Sequence, residues 1–154
     1  MAGPGDIAWM RRAIALAQPR VGLTGVNPVV GCVLVADGSI VAEAATAEGG
    51  RPHAEEQALA SAGRRARGGV AYVTLEPCGE RSSGEASCSE RLVLAGVAKV
   101  VIACQDPSPK ASGRGIDRLR AAGLAVETDV LADEAAQLYE TYAPAIVRRD
   151  PPRG

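Results

Sequence analysis

The stretch Pro52-His53-Ala54-Glu55 contains the only histidine of this 154-residue chain. Two cysteines follow in polar surroundings: Cys78 comes directly after a proline, and Cys88 lies in a serine-rich segment. Histidine nitrogen and cysteine sulfur are preferred zinc ligands, and a catalytic zinc site uses three protein ligands and keeps its fourth position for water. The pattern therefore predicts a zinc site formed by His53, Cys78 and Cys88, with Glu55 left to move protons.

The other two cysteines have a different setting. Cys32 and Cys104 lie inside apolar runs that resemble strands, and free cysteine commonly behaves as a small buried hydrophobe. A purely structural zinc site would require a fourth protein ligand, and the chain has no second histidine to supply it. A catalytic zinc site is therefore favoured, while structural zinc and a metal-free reading remain the alternatives.

Local patterns predict an alternation of helices and strands along the chain. The predicted helices cover residues 6–18, 53–62, 87 or 89 to 95, 116–122 and 131–147, and the predicted strands cover 29–36, 40–45, 70–75, 97–104 and 124–128. Asp37-Gly38 is a hairpin signal between the first two strands. The strand–helix alternation after residue 53 favours parallel strands with helices on both faces. The predicted fold is α/β, a three-layer α/β/α sandwich with a central mixed five-stranded sheet.

The predicted fold brings the three candidate ligands to one edge. Ligands of open α/β sheets bind at the carboxyl ends of strands and beside the amino ends of helices. His53 opens one predicted helix, Cys88 begins another, and Cys78 follows the end of the third strand. This agreement is independent of the residue types in the motif.

Composition limits the classes of partner. The chain is 47% hydrophobic and 23% charged, as in an ordinary globular domain, and its formal net charge of −1 does not favour nucleic-acid binding. No apolar run approaches the roughly 20 residues of a membrane helix, and no signal peptide is recognisable at the N-terminus. We expect one cytoplasmic domain over residues 1–147 and, from composition, a disordered tail over 148–154.

Taken together, the motifs resemble those of the cytidine-deaminase-like superfamily. Within it, the chain is most similar to the deaminase domain of the bacterial bifunctional riboflavin-biosynthesis deaminase-reductase. The likeness spans roughly residues 6–130, and its matching segments are residues 27–33, 52–55, 72–78, 95–97, 106–109 and 113–115. The reductase half of that protein has no counterpart here, so we expect a stand-alone deaminase.

The resemblance implies a zinc-dependent hydrolytic deaminase of a small amino-pyrimidine or related heterocycle. Its first candidate substrate is the diaminohydroxyphosphoribosylaminopyrimidine of riboflavin biosynthesis. Zinc lowers the pKa of a bound water to about 7, so hydroxide can attack the amine-bearing carbon while Glu55 delivers protons to the ring nitrogen and the departing amine. The resemblance further implies that Asn27 hydrogen-bonds the pyrimidine and that the protein forms a homodimer or homotetramer.

Five further residues are candidate substrate contacts. Thr46 and Glu80 stand where the riboflavin branch has histidines of the substrate pocket, and Arg81 is the one basic residue of the loop 79–87. Backbone groups near Ala54 and Glu76 can orient the substrate. For Glu76, a charge at the end of a strand without a chemical role is an equally open interpretation. These departures from the riboflavin branch leave the choice of substrate open.

Two rival functions remain open at this stage. One is a base deaminase acting on tRNA, which tight, steeply salt-dependent tRNA binding would favour. The other is a non-catalytic protein with a zinc fold, which stoichiometric zinc without ammonia release from amino-heterocycles would favour.

Overall fold

The computed structural model of the chain describes residues 3–79, 86–106 and 112–140. The helices in these ranges are α1 (Pro4–Ala17), α2 (Ala54–Ala62), α3 (Cys88–Leu94), α4 (Arg114–Ala121) and α5 (Ala132–Ala136). The strands are β1 (Gly31–Ala36), β2 (Ser39–Ala45), β3 (Val70–Leu75), β4 (Lys99–Cys104) and β5 (Ala125–Glu127). Short 3-10 turns cover Gln18–Arg20, Glu48–Gly50, Gly63–Ala66 and Gln137–Tyr139.

The five strands form one mixed sheet in the order β2-β1-β3-β4-β5. Strand β1 is antiparallel to both β2 and β3, whereas β3, β4 and β5 are parallel. The antiparallel pair follows from the turn between β1 and β2, where Asp37 and Gly38 both have positive φ, as a tight two-residue hairpin requires. The parallel pairs follow from the crossovers through α3 and α4. The predicted mixed five-stranded sheet is confirmed.

Helices cover both faces of this sheet. A side chain on Gly31 would collide with the Ala13 carbonyl of α1, so α1 lies against that face. The neighbouring residue Cys32 is close enough to Glu55 of α2 for its charge to act on the thiol. Because successive residues of a strand point to opposite faces, α1 and α2 lie on opposite sides of the sheet. The three-layer arrangement is therefore also as predicted.

The core follows the continuous apolar runs of the central strands. Residues in the middle of β1, β3 and β4 are buried on both faces of the sheet, as expected for strands covered by helices. The fully buried side chains of these strands include Val33, Val73, Val100 and Ile102.

Several elements begin or end at other residues than predicted, among them the first strand and the helix after the fourth strand. The first strand begins at Gly31 rather than at residue 29, because Val30 is instead bonded to Thr46, whose hydroxyl accepts the Val30 N–H. The helix predicted over residues 116–122 begins two residues earlier, at Arg114. Its first turn is held by Glu76, a distant residue that a local pattern does not reveal.

The ends of the chain differ from the prediction as well. Helix α1 begins at Pro4, where the Asp6 carboxylate accepts the Gly3 N–H. The helix predicted over 131–147 ends at Ala136 and tightens into the 3-10 turn 137–139, which buries Leu138 and Tyr139. The predicted continuation over 141–147 and the predicted tail 148–154 lie outside the described residues. No helix in the described ranges combines the length and apolar character needed to cross a membrane.

Candidate metal centre

His53 stands at the junction between a loop and helix α2. It is the N-cap residue, with extended backbone (φ −69°, ψ 159°), rather than the first helical residue that the sequence predicts. Its N–H donates to the Glu56 carboxylate at 3.1 Å, which satisfies a backbone donor at the start of the helix. The imidazole is 22% exposed, so it lies at the surface end of the helix, accessible to a ligand.

Cys78 and Cys88 are held together by backbone hydrogen bonds. The Cys88 N–H donates to Sγ of Cys78 at 3.1 Å, and the Ser89 N–H donates to the Cys78 carbonyl at 3.1 Å. Ser87 is the N-cap of α3, and its hydroxyl accepts the Glu90 N–H. Of the two predicted starts of this helix, residues 87 and 89, the structure therefore has the first as its N-cap. These contacts fix the second cysteine against the first.

The three predicted ligands form one cluster. The ligand atoms of His53, Cys78 and Cys88 all lie within 4.8 Å of one another, and Nδ1 of His53 is 3.3 Å from Sγ of Cys88. Ligands about 2.0–2.3 Å from a tetrahedral zinc ion lie roughly 3.5–3.8 Å apart. The donor set and its spacing therefore fit zinc with three protein ligands, which leaves one coordination position for water or substrate.

Glu55 lies beside this cluster and is only 2% exposed. Burial raises the pKa of its carboxyl group to about 7, against opposing hydrogen bonds from its own backbone N–H and from the Cys88 side chain. A cation held by the neighbouring ligands would lower this pKa, because an opposite charge favours the carboxylate. Its position beside the three ligands places Glu55 to exchange protons with a group bound at the cluster.

The remaining cysteines stay outside the cluster, as predicted. Cys32 is fully buried, and burial raises the pKa of its thiol well above the usual value. Cys104 lies at the end of β4, where burial raises the pKa of its thiol to about 11. Its Sγ is 3.5 Å from the Ala132 carbonyl oxygen, to which it donates. Both thiols are therefore neutral at physiological pH, whereas a zinc ligand must be a thiolate.

Three predicted substrate contacts surround the start of α2. Asn27 donates through Nδ2 to the Gly50 carbonyl at 3.1 Å, which ties its loop to the segment that leads into His53. Ala54 is fully buried behind His53. Thr46 is 1% exposed, and its hydroxyl both accepts from and donates to the backbone of Val30. The Thr46 side chain therefore joins two backbone segments instead of opening into a pocket.

Glu76 has a structural role. Its buried carboxylate accepts four backbone N–H groups: Asp106 and Gly113 at Oε1, and Gly115 and Ile116 at Oε2. These amides include two at the start of α4, where a negative charge is stabilised by the helix dipole. The sequence left two interpretations of Glu76 open: a residue that orients the substrate, or a charge at the strand end without a chemical role. The geometry supports the second, because the carboxylate binds backbone N–H groups.

Two further predicted contacts, Glu80 and Arg81, lie outside the described residues.

Sequence reasoning also missed two residues beside the cluster. Glu56 holds the His53 N–H, and Arg91 of α3 contacts Glu56 at 3.5 Å. The spacing of an N-cap residue and a glutamate three residues later is a recognised capping signal and could have identified Glu56. No local signal identifies Arg91, because its partner is 35 residues away.

Comparison with known proteins identifies the family to which the chain belongs. The profile of the family described as cytidine and deoxycytidylate deaminase zinc-binding region matches residues 5–104, well over half of the chain. The chain belongs to this family of zinc-binding deaminases. The predicted superfamily and the predicted zinc cofactor are thereby confirmed.

Individual relatives point to the riboflavin branch. The chain is 47% identical over 137 residues to the riboflavin biosynthesis protein RibD of Escherichia coli, covering 89% of the chain and 37% of that protein. It is 44% identical to the diaminohydroxyphosphoribosylamino-pyrimidine deaminase of Buchnera aphidicola, covering 89% of the chain and 92% of that protein. The chain thus spans well under half of RibD but nearly all of the shorter relative.

Solved structures share the fold. The chain superposes on RibD of Acinetobacter baumannii with a TM-score of 0.85 at 44% identity, covering 92% of the chain and 40% of that protein. It superposes on the dCMP deaminase of cyanophage S-TIM5 with a TM-score of 0.60 at 27% identity, covering 83% of the chain and 99% of that protein. The higher similarity is to the riboflavin branch.

Proposed function

We propose that this chain catalyses the hydrolytic deamination of diaminohydroxyphosphoribosylamino-pyrimidine, the substrate in the name of the Buchnera relative. The observation that carries the proposal is the buried Glu55 beside the His53, Cys78 and Cys88 cluster. The 44% identity to that relative, over 92% of its length, supports the choice of substrate. The divergence at Thr46 does not count against it, because that hydroxyl is used within the fold.

The proposed reaction adds water to the amine-bearing carbon and releases ammonia, leaving a carbonyl group on the ring. Zinc bound to the three ligands supplies the Lewis acidity that makes water nucleophilic at neutral pH. Glu55 would carry one proton from the water to the ring nitrogen, and a second proton, from the hydroxyl group formed on the carbon, to the leaving amine as the carbonyl forms. Its burial keeps this proton exchange away from bulk solvent.

Asn27 is the proposed pyrimidine contact. Its Nδ2 is committed to Gly50, and Oδ1 has no hydrogen-bond partner among the described parts of the chain. That oxygen can accept a hydrogen bond from a substrate amino group or ring N–H. Backbone groups near Ala54, together with Glu80 and Arg81 of the loop 79–87, are further proposed contacts.

The decisive experiment is ammonia release by the purified chain and its Glu55→Gln variant. The wild type is expected to deaminate the phosphoribosylamino-pyrimidine faster than cytosine, guanine and their nucleosides. Glu55→Gln should retain stoichiometric zinc while its turnover falls by at least about 100-fold, because general acid–base catalysis contributes on that scale. The matched control is Glu43→Gln, which removes a surface carboxylate paired with Arg12 and should leave turnover unchanged.

Other outcomes would contradict the proposal in distinct ways. Wild-type turnover by Glu55→Gln would exclude Glu55 as the proton carrier. Preference for a nucleobase or nucleoside would exclude the substrate but retain the chemistry. Stoichiometric zinc with no ammonia from any member of the panel would favour a non-catalytic protein.

The remaining proposals concern organisation. We infer a single deaminase domain over residues 1–147 that works in the cytoplasm as a homodimer or homotetramer on a small molecule. The formal net charge of −1 supports a partner other than nucleic acid. Light scattering after size exclusion measures the oligomeric state, and a strict monomer would contradict it.

A further inference from the structure

We infer that Glu56 and Arg91 are positioning residues of the zinc site, which as an ion pair hold the helix starts carrying His53 and Cys88 at the spacing the metal requires. The inference rests on the zinc site of the proposed function. It extends that site to two residues outside the proposed set of metal ligands.

Glu56 contributes the first half of this connection. It is the third residue of α2, and its Oε1 accepts the His53 N–H at 3.1 Å. The same oxygen lies 4.0 Å from Nδ1 of His53, which itself is 3.3 Å from Sγ of Cys88. Glu56 therefore holds the backbone of His53 through a hydrogen bond, and its carboxylate also lies next to the His53 imidazole.

Arg91 contributes the second half from α3. Its Nη2 lies 3.5 Å from Oε2 of Glu56, and its Nε donates to the Ala86 carbonyl at 3.3 Å. Ala86 is two residues before Cys88, and Arg91 is three residues after it. The guanidinium thus contacts Glu56 and the chain that enters α3 at the same time.

The Glu56–Arg91 pair connects α2 and α3, the two helices whose starts carry the proposed zinc ligands His53 and Cys88. His53 and Cys88 come from different helices, so the relative position of those helices sets the distance between their ligand atoms. The Glu56 and Arg91 side chains are 19% and 35% exposed, so the pair is partly shielded from solvent, which strengthens a charge interaction. By contrast, the Arg11–Glu134 pair, 60% and 44% exposed, lies on α1 and α5, helices that carry no zinc ligand.

A single ion pair that is still partly exposed to solvent contributes little to global stability. Its effect should therefore appear in metal retention rather than in folding. Partners that orient metal ligands commonly change metal affinity by about 10–100-fold when they are removed. We expect that range here, mainly as faster zinc dissociation, because the pair stabilises the ligand geometry after the metal has bound.

The test measures zinc release from the full chain to an excess of a chromogenic chelator. Arg91→Ala and Glu56→Gln should each release zinc about 10–100-fold faster than the wild type. Glu56→Gln keeps an oxygen for the His53 N–H but loses the charge. The double variant should be no faster than the worse single variant, because each single change already breaks the pair. Arg11→Ala is the matched control and should release zinc at the wild-type rate.

Cobalt(II) in place of zinc gives a second measurement, which would stay unchanged if the two residues affected only the stability of the fold. The visible absorption of the cobalt protein reports ligand geometry, and it should change in Arg91→Ala and recover in part in Arg91→Lys. Wild-type zinc release and cobalt spectra in folded Arg91→Ala and Glu56→Gln would overturn the inference while leaving the proposed function intact. A wild-type chain that binds no zinc would overturn both.

Discussion

Replacing Glu76 by glutamine is expected to destabilise the whole domain, although the change removes only a charge and exchanges an oxygen for an amino group. The Glu76 carboxylate is 5% exposed and accepts four backbone N–H groups at 3.0–3.2 Å, two at each oxygen. A glutamine side chain retains one acceptor oxygen. Its amino group would face two N–H donors that have lost their acceptor.

The magnitude follows from these contacts. A hydrogen bond to a charged group contributes about 1.5–3 kcal/mol, so the loss of two should lower the free energy of unfolding by about 3–6 kcal/mol. For a domain of this size, that corresponds to a fall in Tm of roughly 6–24 °C. The loss is large beside a typical total stability of about 5–15 kcal/mol.

Urea unfolding followed by far-ultraviolet circular dichroism measures this free energy. The zinc concentration must be equal in all samples, because bound metal adds to the apparent stability. Glu134→Gln is the control, since its carboxylate is 44% exposed and should have little effect on the midpoint. If Glu76→Gln unfolds at the wild-type urea concentration with the same slope, the four amides do not depend on the carboxylate and the reasoning is wrong.

Two further predictions concern the metal and pH. Each tenfold rise in free zinc above its dissociation constant should add about 1.4 kcal/mol to the free energy of unfolding of the wild type. In thermal melts, Cys88→Ser should lose this response to zinc and Cys104→Ser should keep it. An equal response in both variants would refute the assignment of Cys88 as a ligand. Burial opposes ionisation of Asp6, but the hydrogen bond from Tyr72 and other favourable contacts lower its pKa below 3.8. The folded state therefore binds fewer protons there than the unfolded chain, and the stabilisation is present above about pH 4 and lost as pH falls through the folded pKa. Asp6→Asn should be less stable than the wild type at pH 7, with a difference that shrinks in urea titrations below pH 4; a constant difference would contradict it.

Local sequence patterns were sufficient for most of the fold. The run Val70–Leu75 was predicted as a strand with its observed bounds, and the predicted helix 53–62 differs from α2 by one residue. These elements are encoded by short-range signals: apolar runs, a hairpin turn and a helix-stopping glycine. After Ala136 the predicted helix becomes a 3-10 turn, so the prediction of α-helix was wrong over residues 137–139.

The residue types and spacing of His53, Cys78, Cys88 and Glu55 were enough to predict a zinc site, because few other combinations of these side chains suit its chemistry. Only the tertiary structure decided how Glu76 and Arg91 act. The carboxylate of Glu76 is held by amides that begin 30 residues later, and Arg91 meets a glutamate of another helix. Such contacts depend on how distant elements approach one another, and a local propensity carries no information about that distance.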